Sequence, residues 1–516
     1  MTPGLLRAAV SVRADGARTG AARRGYEAVL GAALGLLLLA GGWAVVRGHA
    51  SLLIAAAAGV GLAVLAVSQR GVVVGVLVLA AMNGIPYVDM SPSLASRFTM
   101  QDGAVALLLA LAIGWIVRGR EAPETTRAGR VISRAGWLLL AWWGVTVLRT
   151  VLADNGSFTR AGSFGRDFGF FALLLIVLPW VRLRTRDVGA LLAVLTAGVC
   201  VFAVGQIMTS VGVGSPGSLI HSYQSNSESG LTRIYANMTD LVTAGVAASY
   251  LALLLAPSPR VRRIALPVAI LLTTSTIVQL TRARWVGLVI GLIVVVVWLA
   301  MQRERRVGAT ARRRAALGFA GIAVVVLAAV TLIPGLFSSG AVGSRLVSVF
   351  SELQSGGGTV AIRESVSHVM KGYLGEHWSV GLGFVSPSAH WYFGLPEGSI
   401  RDPDLGILNA LMTMGAIGAA LIYLPVVTTL GYCLRRPGVP APPYEWLRYA
   451  GVMWIIYALV SSITLVTLFS ESGLVLTALA LTLLTNPSVL GAPRAVGVQA
   501  RAAAPVPHPG YRPVAT

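Results

Sequence analysis

Apolar runs, each long enough to cross the hydrocarbon of a bilayer at about 17 to 23 residues, recur along almost the whole chain between short polar breaks. Read against those breaks they predict fourteen candidate spans: 26–46, 50–68, 71–88, 102–118, 135–153, 167–181, 187–209, 236–256, 264–281, 285–301, 316–333, 405–432, 447–469 and 473–488. Only Arg47, Gly48 and His49 separate the first two, and the last is short. The pattern therefore predicts an all-α, polytopic integral membrane protein of about 12–14 transmembrane helices. It implies a basic N-terminal tail (1–25), a helical membrane domain (26–488) and a disordered tail (489–516) rich in Ala, Pro, Val and Arg.

One polar stretch is far longer than the rest. Residues 334–404 hold Arg345, Arg363, Glu364, His368, Lys371, Glu376, His377, His390, Arg401, Asp402 and Asp404. A loop of that length between spans is usually functional or disordered. Its aromatics Tyr373, Trp378, Trp391, Tyr392 and Phe393 favour order, because they can repay the entropy of folding. The loop is predicted to contain helices.

Composition supports the membrane reading: 55% hydrophobic, 12% charged, mean hydropathy +0.76. Soluble domains carry about twice that charge. A net charge of +21 would suit a nucleic-acid partner, but its distribution points elsewhere. With the N-terminus in the cytoplasm, 29 of the 41 basic residues and seven of the 20 acidic ones fall on the inner side. They concentrate in the links 118–134, 182–186, 259–263 and 302–314. This is the positive-inside pattern, and anionic lipid is a sufficient partner for it. Forty of the basic residues are Arg and Lys371 is the one Lys. Arg23-Arg24 stands ahead of the run from Tyr26 to Val46, which is long for an export signal and reads as a retained first helix. Cys200 and Cys433 read as small buried hydrophobes.

The orientation places both termini in the cytoplasm and 334–404 outside, with smaller outer loops at 89–101, 154–166 and 210–235. A lone cysteine at Gly357, in a background lacking Cys200 and Cys433, should react with a membrane-impermeant thiol reagent in intact cells. Protection that lysis relieves would reverse the topology.

The span centres are nearly free of ionisable groups, unlike pumps, which place them at mid-membrane. Charges gather instead near the outer ends, at Asp102, Arg149, Asp167, Asp240, Arg282, Arg284 and Asp404. Such a ring suits an aqueous site at the outer leaflet; helix capping and interfacial anchoring suit it as well, since Asp167 and Asp240 fall near helix starts. The link Thr281-Arg282-Ala283-Arg284 is more pointed. Two arginines in a tight outer turn run against the positive-inside rule and call for an anionic partner. The planar guanidinium donors suit paired oxyanions such as a diphosphate.

The run QLTRARWVGLVIGL resembles the helix start "SRG-W-G" of the O-antigen ligases and O-antigen polymerases. IRESVSHVMKGYLGEHWSVGLGF is similar to that family's outer-loop helix with its G-x-G turn, and DLGILNALMTMGAIGAALIYLPVV to its returning helix with a G-x-x-G step. The likeness covers about residues 270–430 in order. It implies a membrane glycosyltransferase in a bacterial plasma membrane with its active site outside the cytoplasm. Such an enzyme moves a glycan from an undecaprenyl diphosphate carrier to an acceptor sugar, without a cofactor, a nucleotide sugar or a required metal. Arg284 or Arg282 matches the family's turn arginine and Arg363 its loop arginine, both assigned to the diphosphate. Asp404 falls near the position where ligases carry a His. Here Asp404-Leu405-Gly406 replaces the ligases' His-Asn, which leans toward a polymerase or another transfer. The proline often found before the G-x-G turn is missing from HWSVGLG.

Glycosyl transfer needs a base for the acceptor hydroxyl. Asp404 leads as candidate, at the junction of loop and returning helix, with His390 and Asp402 as the other two; Asp404 also reads as an N-cap for the helix beginning at Leu405. His368, His377 and His390 with Glu364 and Asp402 lack zinc-site spacing, and Gly356 to Gly358 reads as a hinge. The alternative function is a transporter or flippase of lipid-linked oligosaccharide, which would need cations within its central cavity. A sensor or scaffold remains as a third class, although the chain lacks a large soluble domain.

Overall fold

The computed structural model describes residues 69–82, 100–118, 127–154, 158–181, 183–211, 224–228, 231–235, 238–279, 281–301, 406–435, 443–463, 467–486, Val489 and most of 367–384. The two tails, the spans at 26–46, 50–68 and 316–333, and the greater part of the 334–404 loop lie outside those residues.

The protein is an all-α polytopic membrane protein. In chain order the helices are α1 (Arg70–Ala81), α2 (Met100–Arg118), α3 (Arg127–Asp154), α4 (Phe158–Val177), α5 (Thr185–Ser210), α6 (Thr239–Leu255), α7 (Pro259–Val278), α8 (Arg282–Met301), α9 (Gly406–Arg435), α10 (Glu445–Ser461) and α11 (Glu471–Thr485). Short 3₁₀ turns at Leu178–Val181 and Thr467–Phe469 follow α4 and precede α11. Among the described residues, stretches in four of these helices are long and apolar enough to span a membrane: Ala128–Leu152, Thr185–Ser210, Pro259–Val278 and Gly406–Leu434.

The apolar runs located the helices but misjudged their ends. Helix α3 begins at Arg127, well inside the basic link, and α4 begins at Phe158, so most of the predicted outer loop 154–166 is helical. Hydropathy marks where the bilayer starts; the backbone continues as helix past that point because its i→i+4 bonds need no lipid. Helix α10 stops at Ser461, short of the predicted 469. The loop 210–235 contains a missed element, the antiparallel hairpin β1 (Gln224–Glu228) and β2 (Leu231–Tyr235), with Gln224 opposite Tyr235 and Glu228 opposite Leu231. Its first strand, QSNSE, carries no apolar alternation to betray it.

The hydrogen bonds between helix ends show that α5 to α8 and α10 to α11 run alternately up and down. One end of the bundle carries Arg284 and the other Arg448. The core is continuous through the bundle and includes Ile132, Leu139, Phe171, Leu174, Leu175, Leu191, Leu251, Leu272 and Tyr457, all fully buried. The opposite face of α3 exposes Trp137, Leu138, Leu148 and Leu152, the surface expected of a helix with lipid on one side. Hydroxyls inside the spans bond back to their own helix, as Thr146 does to Trp142, Thr209 to Gly205 and Thr485 to Leu481. That satisfies donors which lipid cannot.

At the Arg448 end the chain is held by side chains that bond carbonyls. Asn486 Nδ2 donates to the Leu183 carbonyl at 3.0 Å, and Asp187 accepts from the Arg184 amide at 3.0 Å to cap α5. Arg448 is buried, donates to the Cys433 carbonyl and lies 5.2 Å over the Trp298 ring. This arginine belongs to the core of the bundle, not to the lipid headgroups.

Candidate functional site

The Thr281–Arg284 turn is fixed from both sides. The amide of Arg284 donates to the Thr281 carbonyl at 3.1 Å, which starts α8, and Trp285 Nε1 reaches back to the Thr276 carbonyl at 3.1 Å. Arg284 thereby points its guanidinium across the bundle end. Nη1 donates to Gln279 Oε1 at 2.9 Å, and Nη2 lies 3.5 Å from Asp240 Oδ1. The Asp240 carboxylate is 3% exposed and the Arg284 side chain 16%.

Asp240 is the centre of this group. Its Oδ2 accepts from the hydroxyls of Ser470 at 2.7 Å and Ser472 at 2.8 Å. Ser470 is the N-cap of α11 and accepts from the Gly473 amide at 3.0 Å. Asp240 lies in the first turn of α6, Arg284 in the first turn of α8 and Ser472 in that of α11. Three helix N-termini thus meet at one buried carboxylate, where their dipoles favour negative charge. The network continues inward: Gln279 Nε2 donates to Gln206 Oε1 at 3.3 Å, and Ser275 donates to the same oxygen at 2.5 Å. Gln206 Nε2 and Ser210 Oγ, one turn apart on α5, are buried without a hydrogen-bond partner among the described residues. Both atoms have hydrogen-bonding capacity left over among the described residues.

The remaining rim charges resolve into local partnerships. Arg166 lies 3.7 Å from Asp102 and 3.9 Å from its neighbour Asp167. Arg149 Nη2 donates to the Gly381 carbonyl at 2.6 Å. Asp240 supplies an anionic partner for Arg284 within the protein, so the density of arginine in that turn does not by itself require an external anion. Arg282 is the first residue of α8; its side chain, like Arg363, His390, Asp402 and Asp404, lies outside the described residues.

A second feature lies beside this one. Helix α9 is broken at Gly415 (φ 68°, ψ −174°). The chain from Trp378 to Phe384 enters the break: Leu382 and Gly383 amides donate to the Met412 and Thr413 carbonyls at 2.5 and 3.0 Å. Ala416 and Ile417 amides donate in return to Trp378 and Ser379 at 2.8 and 3.2 Å. Gly381, at φ 71°, ends the helical stretch before it, its amide donating to His377 at 2.7 Å. At the start of α9, the Ile407 amide donates to the Ser462 carbonyl at 3.2 Å, and Ser462 Oγ accepts from Leu468 at 3.2 Å.

Several of these residues escape a sequence reading. Gln206, Gln279, Ser470 and Ser472 give one weak signal, a polar side chain near the end of an apolar run. Nothing in the sequence pairs them with Asp240. No family model matches the chain, and no curated protein matches it in sequence.

Proposed function

We propose that the protein is a glycosyltransferase of the O-antigen ligase or polymerase type, working at the outer face of a bacterial plasma membrane. It takes a glycan from an undecaprenyl diphosphate carrier and joins it to an acceptor sugar. The observation that carries the reading is the Arg284 guanidinium, held by Gln279 and Asp240 where three helix N-termini meet. Diphosphate leaves readily once fixed donors offset its developing charge. Arg284 is such a donor, held in place by Gln279 and Asp240 before any ligand arrives.

In this reaction the acceptor hydroxyl attacks the anomeric carbon, the bond from that carbon to the phosphate oxygen breaks, and the carrier departs as undecaprenyl diphosphate. A base takes the hydroxyl proton. Asp404 stands three positions before Ile407 in the chain, a reach of about 10 Å at most. Ile407 in turn is tied through Ser462 and Leu468 to the turn that leads into Ser470 and Asp240. Ile407 at the start of α9, three positions after the leading candidate base, and the arginine turn thus share one end of the bundle. Below Asp240, an apolar cavity of about 550 Å³ runs between α5, α6, α7, α10 and α11, from Leu241 and Leu476 down to Tyr444. Its apolar lining suits a hydrocarbon chain.

Purified protein given a lipid-diphosphate oligosaccharide and an acceptor glycan should form the new glycoside in EDTA. Longer lipid-linked chains would identify a polymerase, and glycan on a separate acceptor a ligase. No product under any donor length, or activity that vanishes in EDTA and returns with Mg²⁺, would count against this mechanism.

A further inference from the structure

We infer that Trp378–Phe384 is a pin that fixes the large polar loop inside the helix bundle, and that Arg149 and Thr150 are positioning residues which hold it there. Its catalytic consequence rests on the function proposed above.

The break in α9 strips helical partners from consecutive peptide groups. Met412, Thr413 and Met414 carbonyls lose the amides that would donate to them, and the Ala416 and Ile417 amides lose their acceptors. Every one of these groups is satisfied by something outside the helix: Leu382, Gly383, Trp142 Nε1 at 2.9 Å, Trp378 and Ser379. Unpaired backbone is costly at membrane depth, because lipid offers it no partner. Helix and loop segment therefore complete one another.

Helix α3 closes the arrangement. Arg149 donates to the Gly381 carbonyl, and the Phe384 amide donates to Thr150 Oγ1 at 3.0 Å. Thr150 Oγ1 spends its own proton on the Thr146 carbonyl at 2.7 Å, so it is set as an acceptor. Gly383 (φ 101°) lies so close to Thr150 that a Cβ would meet Oγ1 at 2.4 Å. Phe384 is 2% exposed and stacks on Phe168 at 5.9 Å, and Phe168 meets Phe469 at 6.1 Å. Phe469 directly precedes Ser470, a partner of Asp240. The pin and the Arg284 group thus rest on the same short turn.

A free loop of some seventy residues would present Arg363 and Asp404 over a wide volume. Pinned at 378–384, it becomes two shorter tethers leaving a fixed point, which raises the local concentration of whatever they carry. Misplacing a reacting group by about 1 Å costs on the order of 10² in rate.

Hydrogen exchange on the full-length protein in nanodiscs tests the pin directly, and a transfer assay tests its role. Arg149→Ala and the near-isosteric Thr150→Val should each raise exchange in peptides covering 378–384 and 412–417 by about tenfold or more, with α5 unchanged. Both should lower kcat by roughly 10 to 100-fold with donor KM nearly constant. Thr150→Ser, which keeps the acceptor oxygen, should behave as wild type in both. Unchanged exchange at 378–384 in both variants would overturn the pin. Raised exchange with undiminished kcat would overturn the positioning role. Absence of transfer by the wild type would instead defeat the proposed function, with the exchange arm still deciding whether the pin exists.

Discussion

Gly415→Ala should destabilise the protein by at least about 4 kcal/mol, the range reached when a strained backbone and lost buried hydrogen bonds combine. At φ 68° and ψ −174°, Gly415 occupies a region essentially closed to side chains. A Cβ there would stand 2.3 Å from the Ser379 oxygen and 2.5 Å from the Gly381 nitrogen. Both are backbone atoms, so no rotamer change relieves the clash. The segment would have to withdraw and abandon the amide–carbonyl pairs on both sides of the break. Gly431 offers a control on the same helix. Nothing lies within 4 Å of its Cβ position, so Gly431→Ala should be neutral or stabilising by up to about 1 kcal/mol. Thermal unfolding in detergent compares the two; a wild-type midpoint for Gly415→Ala would show that the helix does not need its break.

Much of this architecture was legible because bilayer physics leaves few choices. Long apolar runs must become helices to satisfy their own peptide groups, and α5, α7 and α9 follow their runs to within a few residues. The G-x-G and G-x-x-G steps were visible as motifs near Gly381 and Gly415. Their meaning was not, because hydropathy reads one segment at a time while the interlock pairs residues 34 positions apart: Gly381 and Gly415. Asp240 fell to the same limitation. From sequence it was an acid near a helix start; its partners Arg284 and Ser472 lie 44 and 232 residues away. The arginine turn called for an anionic partner, and among the described residues the Asp240 carboxylate lies 3.5 Å from Arg284. The hairpin 224–235 was missed because its first strand, QSNSE, is wholly polar and its second, LTRIY, is only five residues long.

Asp240→Ala and Arg284→Ala should separate stability from activity. Asp240 is buried and engages two hydroxyls and a guanidinium at once. Its removal takes the acceptor from both serine hydroxyls and from one guanidinium nitrogen in a buried setting, at a cost of about 3–5 kcal/mol. Removing Arg284 leaves the carboxylate with both serine bonds and with the amide dipoles of α6, so its cost should be nearer 1–2 kcal/mol. Transfer should respond in the opposite order. The guanidinium is the group proposed to meet the diphosphate, and loss of one fixed donor to a developing oxyanion costs on the order of 10² to 10³ in rate. Arg284→Lys should recover little, since an ammonium reaches one oxyanion where the planar fork addresses two. Denaturant unfolding gives the stability order, and single-turnover transfer by the folded fraction gives the other. If Arg284→Ala transfers glycan normally, or loses transfer only in proportion to the protein left folded, Arg284 serves the bundle and not the carrier.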